Sequence, residues 1–185
     1  MAEFTFHTTE TDHPKRKALL EKAQAGYGMI PNMIAGLSES PAAAEAYMAL
    51  SKAVVKGSLS KEQQHVMWFT ANAEHGCEYC MTGHTGLAMM DNIDPGVIDS
   101  ARNVTSYKDS KLEALRQFTL IMIRQRGWAD DDQVQAFLDA GYNKENIMDV
   151  IIGIAHKTIS NYANHLMQTP LDKGSEPLAW KKPQA

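Results

Sequence analysis

Apolar residues recur every three to four positions through most of the chain, and polar residues and helix-stopping glycines cut that pattern into segments. Ser40 before Pro41 supplies an N-cap and a favourable first helical residue, and the alanine-rich run from Ala42 to Val55 stays helix-forming until Gly57. Ser60 to Gln63 reads as a capping box opening a helix that carries Val66, Met67, Phe69 and Ala73 to Gly76. A further helix is expected from about Cys77 to about Met90, and a short one from Asp94-Pro95 to Arg102. A second capping box, Ser110 to Glu113, leads through Leu115, Phe118, Ile121 and Met122 to Gly127. Asp131 to Ala140 is amphipathic and closed by Gly141. The last long helix starts near Asn143, with Ile147, Ile151, Ile154, Thr158, Tyr162 and Leu166 on one strip and Ile152, Ala155 and Ile159 on another. A stripe that wide is buried on two sides, inside a bundle or across a subunit contact.

No stretch alternates with period two over a useful length, so no strand is expected. The expectation is an all-α, single-domain helical bundle of about seven or eight helices. Residues 14–170 form that domain, while residues 1–13 and 171–185, polar or proline-bearing, lie as N- and C-terminal arms. Trp180, in the second arm, is expected to offer an exposed indole to a neighbouring subunit.

The balance of 18 Lys and Arg against 22 Asp and Glu, with no basic block, argues against nucleic acid or an anionic membrane as partner. No apolar run approaches the roughly 20 residues needed to span a bilayer. The segment Met1 to His7 lacks the basic start and apolar core of a signal peptide, so a cytoplasmic, reducing compartment is expected. The 2 cysteines sit together, as Cys77-Glu78-Tyr79-Cys80. A disulfide across so short a loop adds little stability, and in a reducing compartment such a pair reads as chemistry before scaffolding.

On a helix beginning at Cys77, the offsets to Cys80 and His84 put all three side chains within about 60° of one face. Two thiols at that spacing can close a disulfide, and an imidazole beside them can take or return a proton. The chemistry is then a dithiol cycle: a thiolate attacks the O–O bond of a peroxide, its neighbour condenses with the sulfenic acid, and an external dithiol or disulfide reductant resets the pair. The helix N-terminus favours Cys77 as the attacking thiolate, and the i,i+4 relation to His84 favours Cys80. We take Cys80 as attacker and Cys77 as resolver.

With these residues in view, the chain resembles the alkylhydroperoxidase D-like, carboxymuconolactone decarboxylase family, in its peroxidase-related members, from about Tyr27 to about Asp172. The resemblance rests on Tyr27-Gly-Met-Ile-Pro31-Asn32, Ser40-Pro41 with Glu45-Ala-Tyr47, Gly57 to Ser60, and above all Cys77, Cys80 and His84. Asn161 to His165 followed by Thr169 to Asp172 resembles the end of those members. It implies an all-helical fold forming trimers or hexamers, without heme, flavin or metal, and a thiol-dependent hydroperoxidase in which His84 belongs to a proton relay. That relay usually includes a glutamate twelve residues before the first cysteine, where this sequence has His65. Histidine brings a neutral ring or a positive charge where the family has a negative one, although a protonated His65 would still favour a nearby thiolate. Glu62 and Glu74 are nearby in sequence and read as solvent-facing helix-end charges.

Three other readings stand beside the peroxidase. His65, Cys77, Cys80 and His84 together have the composition of a Cys2His2 zinc set, although three of the four crowd one helical stripe. The resemblance also admits a carboxymuconolactone-decarboxylase-like activity, for which no basic set able to clamp a dicarboxylate is evident. A helical oligomer with a redox-responsive but non-enzymatic pair is the third. His75 is expected to cap a helix or face solvent, and His156 and His165 fall on nearly opposite faces of the last helix.

Overall fold

The computed structural model describes residues 3–184. Among them the chain forms α1 (Pro14–Tyr27), α2 (Asn32–Leu37), α3 (Pro41–Lys56), α4 (Lys61–His75), α5 (Glu78–Met90), α6 (Pro95–Asn103), α7 (Ser110–Arg124), α8 (Asp131–Asp139), α9 (Lys144–Met167) and a 3-10 turn at Glu176–Leu178, with no strand. The all-α expectation holds. The local start signals hold as well: Ser40 caps Ala43 N–H, and Ser60 and Gln63 form a reciprocal capping box. Asp94 caps α6, and Asn143 with Asn146 boxes the start of α9.

One start is displaced. The carboxylate of Asp109 accepts from Lys111 and Leu112 N–H, so Asp109 is the N-cap of α7 and Ser110 is already helical. Glu113 is drawn away from a capping box, because it accepts from Tyr107 N–H and from the Arg116 guanidinium instead. A charged acceptor at a helix N-terminus satisfies two orphan donors and meets the positive end of the dipole.

α4 runs through the middle of the molecule, packed on α5, α6, α7 and α9, and its residues from Gln64 to Ala73 are all buried. A helix enclosed on every side explains why its polar face is hard to find in the sequence. Gly153 of α9 is what lets that helix reach α4, since a Cβ there would run into the Met67 side chain. The core divides into two apolar clusters. The larger joins Met67, Phe69, Leu115, Phe118, Phe137, Tyr142 and Val150, with Phe137 stacked between Phe118 and Tyr142 at centroid distances of 4.2 and 4.3 Å. The smaller joins Leu19, Leu20, Ile34, Leu37, Ala44 and Tyr47 from α1 to α3.

The terminal segments lie on this body. Thr5 N–H donates to Glu39, and Asn32 binds Asp172 and the carbonyls of Pro170 and Leu171. Trp180 corrects an expectation: it is buried at 5% exposure, packed in the larger cluster, and its indole N–H donates to Arg102 O at 2.7 Å. The segment closes over α5 and α6 of its own chain. Among the described residues no helix is long and apolar enough to cross a membrane.

Candidate active site

Gly76, at φ +69°, ends α4 in the left-handed conformation and turns the chain sharply into α5. Cys77 follows as the N-cap of α5, its Sγ accepting from Cys80 N–H at 3.4 Å. Cys80 lies in the first turn and His84 one turn later, so the stripe read from spacing is real. Both cysteines are free thiols and both are buried. They face α9, whose Asn164 Nδ2 donates to Cys80 Sγ at 3.1 Å and reaches Cys77 Sγ at 3.9 Å.

The two thiols are electrically unlike. At Cys80 burial works against ionisation, but it is outweighed by the hydrogen bond from Cys77, the charge of Lys157 and hydrogen bonds from Ser160 and Asn164, so its thiol is lowered. Cys77 is pushed the other way by giving its proton to that hydrogen bond with Cys80, by burial and by the charge on Cys80. One thiolate shared across two sulfurs therefore resides on Cys80.

Two turns of α9 supply residues that the sequence reading did not single out. Lys157 is buried at 1% exposure, and its Nζ lies 2.9 Å from His84 Nε2. An ammonium can only donate, so His84 Nε2 is the acceptor and a neutral His84 carries its proton on Nδ1. Burial, then Lys157, His156 and His65, hold His84 well below the usual imidazole range, which keeps it neutral. His84 Nδ1 has no hydrogen-bond partner. A sequence signal for this face existed: Lys157, Ser160, Asn161 and Asn164 recur at i, i+3, i+4 and i+7, a polar line down an otherwise apolar helix.

His65 stays apart from the sulfurs. It is buried at 1% exposure with Nε2 on Asp91 Oδ2 at 2.9 Å, and its ring centroid is 6.5 Å from that of His84. Asp91, which also takes Lys61 at 2.8 Å, is the carboxylate that His65 finds. Glu74 is occupied elsewhere, gripped by Arg124 at 2.7 and 2.8 Å. The four-residue zinc set does not come together: among the described residues no group of three or more His, Cys, Asp or Glu is placed to hold a metal ion. His65 and His84 each spend Nε2 on another partner.

The remaining histidines separate as the helix geometry requires. His156 is buried against Tyr47 at 4.4 Å and near Trp68 at 6.1 Å, bridging the two apolar clusters, while His165 is exposed. Burial and then the Lys157 charge press His156 down to about 2. His75 is half-buried and does not cap a helix; its Nδ1–H donates to Asn161 Oδ1 at 2.8 Å, and Asn161 donates in turn to Asn72. Tyr79, between the cysteines, donates to Asp172 at 2.6 Å and ties the site to the C-terminal segment.

Comparison with known proteins follows this geometry. Residues 41–120, which include both cysteines, His65 and His84, match the model of the carboxymuconolactone decarboxylase family. The fold is similar to the alkylhydroperoxidase AhpD core of an uncharacterized peroxidase-related protein from Ralstonia eutropha JMP134, with a TM-score of 0.79 at 16% identity, covering 95% of this chain and 96% of that one. It is also similar to an uncharacterized peroxidase-related protein from Silicibacter sp. TM1040, with a TM-score of 0.76 at 16% identity, covering 93% and 94%. The debrominase Bmp8 in complex with 2,3,4-tribromopyrrole gives 0.71 at 14% identity, covering 96% and 95%. At these identities the solved structures establish a shared fold. No curated protein matches the sequence.

Proposed function

We propose, from the premise that this chain carries a carboxymuconolactone decarboxylase family segment on an alkylhydroperoxidase D-like fold, that it is a thiol-dependent hydroperoxide reductase. The observation that carries the reading is the buried thiol pair at the start of α5, with Cys77 Sγ accepting from Cys80 N–H at 3.4 Å and Asn164 Nδ2 donating to Cys80 Sγ at 3.1 Å, surroundings that lower the Cys80 thiol and raise that of Cys77. The Cys80 thiolate attacks the terminal oxygen of a hydroperoxide, the O–O bond breaks, and the alkoxide leaves as an alcohol after taking a proton. His84 serves as the shuttle for that proton: Nδ1–H, the donor it has free, is given up as Nε2 takes a proton from the Lys157 ammonium, which regains it when the pair is reset. The Cys77 thiol then attacks the Cys80 sulfenic acid, the S–O bond breaks, and water leaves with the Cys77 proton. An external dithiol returns the disulfide to two thiols and is itself oxidised.

His65 takes no part in these bonds; its role is to pack on His84 and to carry Asp91. The working form is taken to be a homo-oligomer in the cytoplasm. The test is hydroperoxide consumption with a dithiol reductant. Wild type is expected to turn over and Cys80→Ser to lose all turnover. With the reductant left out, Cys77→Ser is expected to consume one equivalent and stop as a sulfenic acid that a dimedone reagent traps. Equal rates for wild type and Cys80→Ser would overturn the assignment. Turnover of a brominated pyrrole in place of any hydroperoxide would move the same dithiol to reductive dehalogenation.

A further inference from the structure

Lys157 is a buried cation with no ion-pair partner among the described residues. Its side chain, on the central stretch of α9, is as buried as the core phenylalanines, yet every salt bridge in the described chain joins other groups. Burying an ammonium without an anion is strongly unfavourable, so a lysine retained there needs a negative charge or must give up its own. Among the described residues its side chain has one hydrogen-bond contact, His84 Nε2 at 2.9 Å, a neutral acceptor that cannot supply that charge.

The groups around the thiol pair leave a single candidate for each sign. On α5 and its ends stand Cys77, Tyr79, Cys80, His84 and, at the C-terminal end, Asp91; on α3, Tyr47; on α4, His65; on α9, His156 and Lys157. Tyr47 and Tyr79 are phenols that burial holds protonated. His84 and His156 are held neutral by burial. Asp91 sits at the rim, occupied by Lys61 and His65, and the half-buried Asp172 is occupied by the Tyr79 O–H and Asn32 N–H. What remains inside is the Lys157 ammonium and the Cys80 sulfur, with Ser160 and Asn164 on the same face of α9 turned to that sulfur.

We propose that Lys157 is the positioning residue that makes Cys80 a thiolate, with His84 acting as the neutral acceptor that aims the ammonium into the site. This rests on the dithiol reading above and adds a counter-ion to it. It also gives this chain a device for ionising its thiol that does not run through the position of His65. A buried cation on the α9 face that also carries Asn164, the donor to Cys80 Sγ at 3.1 Å, stabilises the ionised thiol before any substrate arrives, and the helix N-terminus at Cys77 adds to the same field.

The experiment reads the thiolate directly, so it does not depend on which substrate the enzyme takes. In the Cys77→Ser background, Cys80 is the only thiol in the 185-residue chain, which carries 2 cysteines in all. Its absorbance at 240 nm is followed from pH 4 to pH 10, with and without Lys157→Met and Lys157→Arg. Lys157→Met is expected to move the midpoint up by at least one pH unit, a tenfold loss of thiolate below it, and Lys157→Arg to restore most of the shift. An unmoved midpoint in Lys157→Met would overturn the proposal even if the peroxidase reading stands. A moved midpoint in a protein that consumes no hydroperoxide would sustain the proposal and sink that reading. Should Lys157→Met not fold, Cys80→Ser is compared with Cys77→Ser at pH 7: a larger fall in Tm for Cys80→Ser is expected because the ammonium loses its counter-ion, and equal falls would overturn the pairing.

Discussion

Asn164→Leu is the sharpest test of how the site ionises Cys80. The change keeps the branched outline of the side chain, with bulkier methyl ends, in a residue that is 4% exposed, and it removes the Nδ2 donor at 3.1 Å from Cys80 Sγ. A hydrogen bond to a charged group is worth about 1.5–3 kcal/mol. At about 1.4 kcal/mol per pKa unit, losing it moves the Cys80 titration up by about 1–2 units. Leucine also removes Asn164 Oδ1, a buried oxygen without a partner, so the variant recovers part of the lost stability. The sign across pH follows from the thiol being lowered on folding. Its stabilisation is full above the ordinary thiol value of about 8.5 and is lost as pH falls through the lowered folded value. The variant should therefore trail wild type most at alkaline pH and converge with it in acid. The assay is the 240 nm thiolate titration of the reduced protein, paired with urea unfolding at pH 5 and pH 9. A titration curve that does not move, in a variant with wild-type helical content, would refute the account of Cys80.

Two further outcomes follow from burial. His156, with neither ring nitrogen bonded, is pressed down to about 2 by burial, so the unfolded chain takes up its proton first as pH falls below about 6.5. That costs up to about 1.4 kcal/mol per pH unit on acidification, and His156→Phe should lose about 2 kcal/mol less than wild type between pH 6.5 and 4.5 in urea titrations; parallel losses would count against a neutral buried ring. Trp180→Ala should lower Tm by about 6–12 °C, from about 3 kcal/mol for a buried aromatic truncation at about 2–4 °C per kcal/mol, and an unchanged melting curve would mean that the indole does not bind its own chain.

The start of each helix at Ser40, Ser60, Asp94 and Asn143 was legible because a cap bond closes within three residues of chain. The α7 start was misread for the same kind of reason: Asp109 and Ser110 are both competent caps, and the choice was made by Glu113 finding Tyr107 and Arg116. Cys77, Cys80 and His84 were legible as one group because a single helix places them, whatever surrounds it. The wide apolar surface of α9 was visible too, but not which of its polar residues point inward.

Tertiary packing decided the rest. Asn164 meets Cys80 across 84 residues, Lys157 meets His84 across 73, and His65 meets Asp91 across 26. Each of these distances depends on how closely α9 and the end of α5 approach α4, and that approach depends on residues such as Gly153 far from the chemistry. Helical periodicity is a property of the chain alone, so the stripe of two sulfurs and an imidazole could be read in advance. The charge that sets the state of those sulfurs comes from another helix, and burial, which multiplies its effect, exists only once the bundle has closed.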